Sequence, residues 1–64
     1  MFEFTEDEYK DLCKKAMLNE ELSKIFEMLI KGYSRVEISM KLNLGLSTVD
    51  RRIKILKRKI IRCL

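Results

Sequence analysis

A chain of 64 residues with net charge +4, no proline and two glycines makes one small domain, residues 1–64, rich in Lys, Glu, Leu, Ile and Met, most of them strong helix formers. Two cysteines and no histidine exclude a four-ligand zinc site or a cysteine–histidine dyad within one chain, so no metal, cofactor or catalytic residue is expected and the chain does not read as an enzyme. No apolar run approaches the roughly 18 residues that span a bilayer, and the acidic N-terminus is unlike a basic signal peptide, so the expected location is the cytoplasm with no membrane partner.

Residues 1–4 form a short apolar leader. Thr5 and Glu8 then make a capping box that starts a helix over about residues 6–17, with Glu6 and Asp7 beside its positive end. Tyr9, Leu12, Cys13, Ala16 and Met17 recur at helical spacing as one buried stripe. Asn19 caps a second helix over about residues 20–31, whose apolar face is Leu22, Ile25, Phe26, Leu29 and Ile30, and Gly32 stops it. Ser34 and Glu37 form a second capping box that opens a third helix over about residues 35–42, with Ile38 and Leu42 four apart on one face. Asn43 tolerates the left-handed conformation in which many helices end. Leu44 plugs the corner, and Gly45 or Ser47 caps a fourth helix over about residues 46–62, with Val49, Ile53, Leu56 and Ile60 facing inward. Cys13 and Cys63 read as small apolar packers, and Met28, Met40, Phe26 and Tyr33 as core filling. The expected fold is all-α, a four-helix domain without strands.

Charge is divided unevenly along this pattern. Residues 1–32 hold five lysines against eight acids, a net −3, and residues 33–64 hold nine Lys or Arg against Glu37 and Asp50, a net +7. Such asymmetry favours one basic face that docks on a polyanion. Residues 34–56 superimpose on that basic half the pattern of a helix-turn-helix, two helices joined by a tight corner with the second member basic.

On these residues the segment 18–60 resembles the LuxR/GerE family of bacterial DNA-binding domains, without gaps. Leu18-Asn19 stands at the family's Leu-Thr opening, residues 20–31 form the scaffold helix, Gly32 and Ser34 are the family glycine and serine, Glu37-Ile38-Ser39 matches Glu-Ile-Ala, and Thr48-Val49 matches Thr-Val. Region 4 of sigma factors carries much the same pattern. The chain departs from the family in several places. Ser39 replaces alanine and brings a hydroxyl that needs a partner, expected to be a carbonyl one turn back. Asn43 replaces glycine, and Gly45 replaces a capping serine. No short final helix for dimerisation follows the fourth, while a helix is added at the N-terminus. Its stripe, with Phe2, Phe4 and Tyr9, is expected to cover Ile60, Ile61 and Leu64, either within one chain or across a two-fold axis.

Projecting the inward positions of the fourth helix leaves Ser47, Asp50, Arg51, Lys54 and Arg58 on the opposite side, as candidate base-reading residues in a major groove. Arg51 leads, because a guanidinium gives two hydrogen bonds to guanine. The resemblance aligns Asp50, Arg51 and Lys54 with base-contacting places, where an acid such as Asp50 is unusual. Asp50 has two roles open to it, accepting from cytosine or orienting Arg51 or Lys54. Ser34, Arg35, Lys41, Thr48 and Lys57 are candidate phosphate contacts, and Arg52, Lys59 and Arg62 read as a solvated face. The function implied is a sequence-specific regulator of transcription that binds double-stranded DNA as a homodimer. The alternative is a module like region 4 of sigma factors that docks RNA polymerase or another regulator.

Overall fold

The computed structural model describes residues 3–64 as four α-helices, α1 (Glu6–Lys15), α2 (Glu20–Ile30), α3 (Arg35–Leu42) and α4 (Leu46–Cys63), with no strand among the described residues. The chain is all-α, as expected. None of these helices is long and apolar enough to cross a membrane.

Local side-chain capping sets where α1, α2 and α3 start. Thr5 Oγ accepts from the Glu8 N–H at 3.2 Å while the Thr5 N–H donates to Glu8 Oε1 at 2.8 Å, the reciprocal arrangement that satisfies two orphan donors. Asn19 Oδ1 accepts from the Leu22 N–H at 2.8 Å. Ser34 and Glu37 repeat the box at α3, at 3.0 and 3.2 Å. Gly45 stands at the N-cap of α4 and Ser47 lies inside the helix.

Helix ends follow a second rule. α1, α2 and α3 each stop at a residue in the left-handed region: Met17 at φ 52°, Gly32 at φ 92° and Asn43 at φ 55°. In each case the next N–H reaches back five residues, Leu18 to Cys13, Tyr33 to Met28 and Leu44 to Ser39, at 3.0–3.1 Å, which closes the last turn. A Cβ on Gly32 would meet nothing within 4 Å, so the demand for glycine there is conformational rather than steric.

Met17 departs from the expected buried stripe. α1 ends two residues earlier than its periodicity implies, the left-handed turn swings Met17 out to 84% exposure, and Leu18 packs against the core instead. Met40 departs too, being 76% exposed rather than core filling. It sits two residues from buried Ile38, about 200° around the helix and so on its outer side.

The core is Leu12 from α1, Leu22, Ile25 and Phe26 from α2, Ile38 from α3, and Val49, Leu56 and Ile60 from α4. Fully burying a side chain of this size contributes about 1.5–3 kcal/mol. α4 packs against all three other helices, so the basic helix is also the spine of the fold. Phe26 anchors the N-terminal side, with the Phe4 ring edge-on at 5.5 Å and the Tyr9 ring tilted at 5.1 Å between centroids. Tyr9 Oη donates to the Ser23 carbonyl at 3.1 Å. Burial, with the neighbouring Cys13 adding to it, pushes the Tyr9 phenol up to about 12. Cys13 and Cys63 are free thiols, half-buried against the core.

Within one chain, then, Phe4 and Tyr9 pack on α2, and Ile60 is buried in the shared core. Ile61 and Leu64 stay 69% and 80% exposed. Phe2, the remaining aromatic of that set, lies outside the described residues.

Candidate functional site

α4 is a helix with two unlike faces. Val49, Leu56 and Ile60 are buried and Ile53 is half-buried against them. With about 100° per residue, Ser47, Arg51, Lys54 and Arg58 fall in an arc of about 60° on the opposite side. All four are exposed, so the structure brings these base-reading candidates into one strip. Lys57 and the half-buried Asp50 flank the strip on one edge. Ile55, partly exposed at 38%, flanks the other edge with Arg62. Sequence reasoning passed over Ile55, although its place outside the inward series was a signal that it faces solvent.

The charge on this strip is uncompensated. On α1 and α2, Lys10, Lys15, Lys24 and Lys31 each lie 3.0–4.0 Å from an acid four residues earlier, the arrangement of an ordinary solvated face. On α4, Arg51, Lys54, Lys57, Arg58, Lys59 and Arg62 have no acidic partner among the described residues. Arg52 differs from its neighbours. Its Nε donates to Glu21 Oε1, linking α4 to α2, so it is a cross-link between helices rather than part of a solvated face. The 31-residue separation of that pair leaves no local signal in the sequence.

The corner between α3 and α4 is held by one residue pair bonded twice. The Leu44 N–H donates to the Ser39 carbonyl at 3.0 Å, and Ser39 Oγ donates to the Leu44 carbonyl at 2.6 Å. The hydroxyl therefore points forward to the corner instead of back one turn, because the left-handed turn at Asn43 brings Leu44 over the end of α3.

Asp50 does not orient Arg51 or Lys54 within the chain. Its Oδ2 accepts from Arg35 Nη1 at 2.8 Å, with both side chains about half exposed, so its partner is Arg35 of α3 rather than Arg51 or Lys54. The pair also brings the N-terminal end of α3, with Ser34, alongside the strip. The Glu37 carboxyl there is held below the usual carboxylate range by the Ser34 backbone N–H and hydroxyl, which keeps the cap ionised. Of the other phosphate candidates, Thr48 is half-buried and Lys41 sits at the far end of α3, its Nζ 5.2 Å from the centre of the Tyr33 ring. Among the described residues no hydrogen bond or ion pair joins Lys41 to the strip.

Two surface clefts lie elsewhere, and no α4 residue lines either. One of about 470 Å³ is bounded by Asn19, Glu20, Lys24 and Leu44 among others, and one of about 370 Å³ by Tyr9, Glu27 and Ile30 with charged neighbours.

These features define a small all-α protein with one long helix that is apolar on its inner side and cationic on its outer side. No protein-family model matches the chain, and searches of curated proteins and of solved structures return no match either.

Proposed function

We propose that α3, the corner at residues 43–45 and α4 form a helix-turn-helix, and that the protein is a sequence-specific regulator of transcription that binds double-stranded DNA. The observation that carries this reading is the outer strip of α4, where Ser47, Arg51, Lys54 and Arg58 are exposed together and the three cations lack an acidic partner among the described residues. Elsewhere among the described residues four of the five lysines of residues 1–32 are paired with an acid one turn earlier, Lys14 being the exception. In the proposed complex α4 enters the major groove, Arg51 gives two hydrogen bonds to a guanine, and Lys54 and Arg58 reach neighbouring base edges. Ile55 is placed to meet a thymine methyl. Ser34, Thr48 and Lys57 hold register on phosphates.

The proposal extends to a homodimer. Ile61 and Leu64 supply its apolar contact, since both are uncovered in the single chain, whereas Phe4 and Tyr9 are already occupied by Phe26. Selection from random-sequence duplex tests the whole reading: a recovered motif with palindromic half-sites is expected, and no enrichment at low salt would remove it. A second reading has one observation in its favour. Val36 and Met40, one turn apart on the outer side of α3, are 50% and 76% exposed, an apolar pair the core does not use. Under this reading the fold docks a protein such as RNA polymerase, and a pull-down that recovers polymerase while selection yields no motif would favour it.

A further inference from the structure

Asp50 is the only acid on α4, and its choice of partner is informative. It stands four residues before Lys54, the spacing at which acids pair with lysines on α1 and α2. It bonds instead to Arg35, 15 residues away on α3, in the one ion pair joining those helices among the described residues. The geometry is short and charge-assisted, yet both groups are about half exposed, and exposed pairs are weak enough to exchange partners. In the free chain Arg35 is thereby withheld from the cationic surface it borders.

Approach of a duplex changes the balance at this pair. A phosphate that takes the Arg35 guanidinium strips Asp50 of its partner and leaves an acceptor-only carboxylate facing a polyanion. In the major groove only cytosine N4 and adenine N6 present amino donors; guanine O6 and N7 and thymine O4 are acceptors and repel a carboxylate.

We infer that the Arg35–Asp50 pair is a selectivity device: Asp50 holds Arg35 away from the backbone of a random duplex and releases it to a phosphate only where a cytosine or adenine amino group takes its place. The inference rests on the reading of α4 as the helix that enters the groove. It assigns Asp50 to discrimination rather than to affinity, and makes Arg35 a conditional phosphate contact.

The test is a cycle of Asp50→Asn, Arg35→Ala and the double variant, each checked for folding by circular dichroism, with binding to random-sequence duplex measured across a salt series. Asp50→Asn is expected to tighten random-duplex binding about tenfold and to steepen the log–log salt slope by about 0.9, the contribution of one further phosphate. Adding Arg35→Ala is expected to return the slope to that of the wild type. Sites selected by the wild type are expected to share a cytosine or adenine at one position where Asp50→Ala, which has no acceptor, shows no preference. A slope unchanged by Asp50→Asn, or a steeper slope that survives Arg35→Ala, overturns the inference while leaving DNA binding in place. A folded wild type that binds no duplex at low salt removes the DNA reading itself and this inference with it.

Discussion

Replacing Met17 by glycine is expected to stabilise the protein, against the sequence pattern that puts Met17 in the core. At φ 52° a residue with a Cβ carries a conformational penalty of roughly 1–2 kcal/mol. Glycine removes the penalty but gives back about 0.5–1 kcal/mol through the greater freedom of its unfolded chain. The side chain is 84% exposed, so almost no burial is lost with it. The net gain is about 0.5–1 kcal/mol, and unfolding entropy near 2.1 cal/mol/K per residue turns this into a rise in Tm of roughly 4–8 °C for a domain of this size. Thermal unfolding followed by far-ultraviolet circular dichroism reads it directly. Met17→Ala is the control, since alanine keeps the penalty, and it should stay within about 0.5 kcal/mol of the wild type. Were Met17 packed in the core, its truncation would cost about 2–5 kcal/mol. A fall in Tm for Met17→Gly would therefore refute the left-handed C-terminal turn of α1.

Other outcomes bear on the surface and on pH. Arg51→Ala should cost about 1–3 kcal/mol on the selected site and relax preference at one base, whereas Lys57→Ala should weaken all sequences alike and reduce the salt slope by about 1; anisotropy titrations on specific and random duplexes separate the two, and identical losses would contradict the division of roles. With the Tyr9 phenol raised from 10.0 to about 12 in the folded chain, the folded state holds its proton where the unfolded state has lost it, so stability is intact below pH 10.0 and declines from there toward about 12. Tyr9→Phe should remove that component of the alkaline decline, as denaturant midpoints across this range will show. Light scattering at high micromolar concentration should detect a dimer that Ile61→Lys abolishes while circular dichroism stays unchanged, and a wild-type monomer under the same conditions would rule the dimer out.

The starts of α1, α2 and α3 were legible because capping is local, whereas Gly45 opens α4 with no side-chain cap. Thr5 with Glu8, Asn19, and Ser34 with Glu37 each bond within three residues, so the chemistry that opens a helix is written beside it. The helix ends were legible at Gly32 and Asn43, residues suited to positive φ, and illegible at Met17, a residue type that does not advertise it. There the need to fold α2 back against α1 overrode both periodicity and preference. Met40 was misplaced for a related reason: α3 is a short helix with one buried residue, Ile38, so an apolar residue on it carries little information about direction.

By itself the sequence determined four helices, the inward series Val49, Ile53, Leu56 and Ile60, and the cationic outer strip of α4, because helical periodicity ties each of these to residues within a turn or two. Tertiary structure alone decided the pairings across helices: Asp50 with Arg35, Arg52 with Glu21, and Phe4 and Tyr9 with Phe26. An ion pair or ring contact between distant segments depends on which helices the core brings side by side. Several cations compete for each carboxylate, and only the packed chain selects one. For Asp50 that selection turned an odd acid on a basic helix into the partner of the arginine at the start of α3.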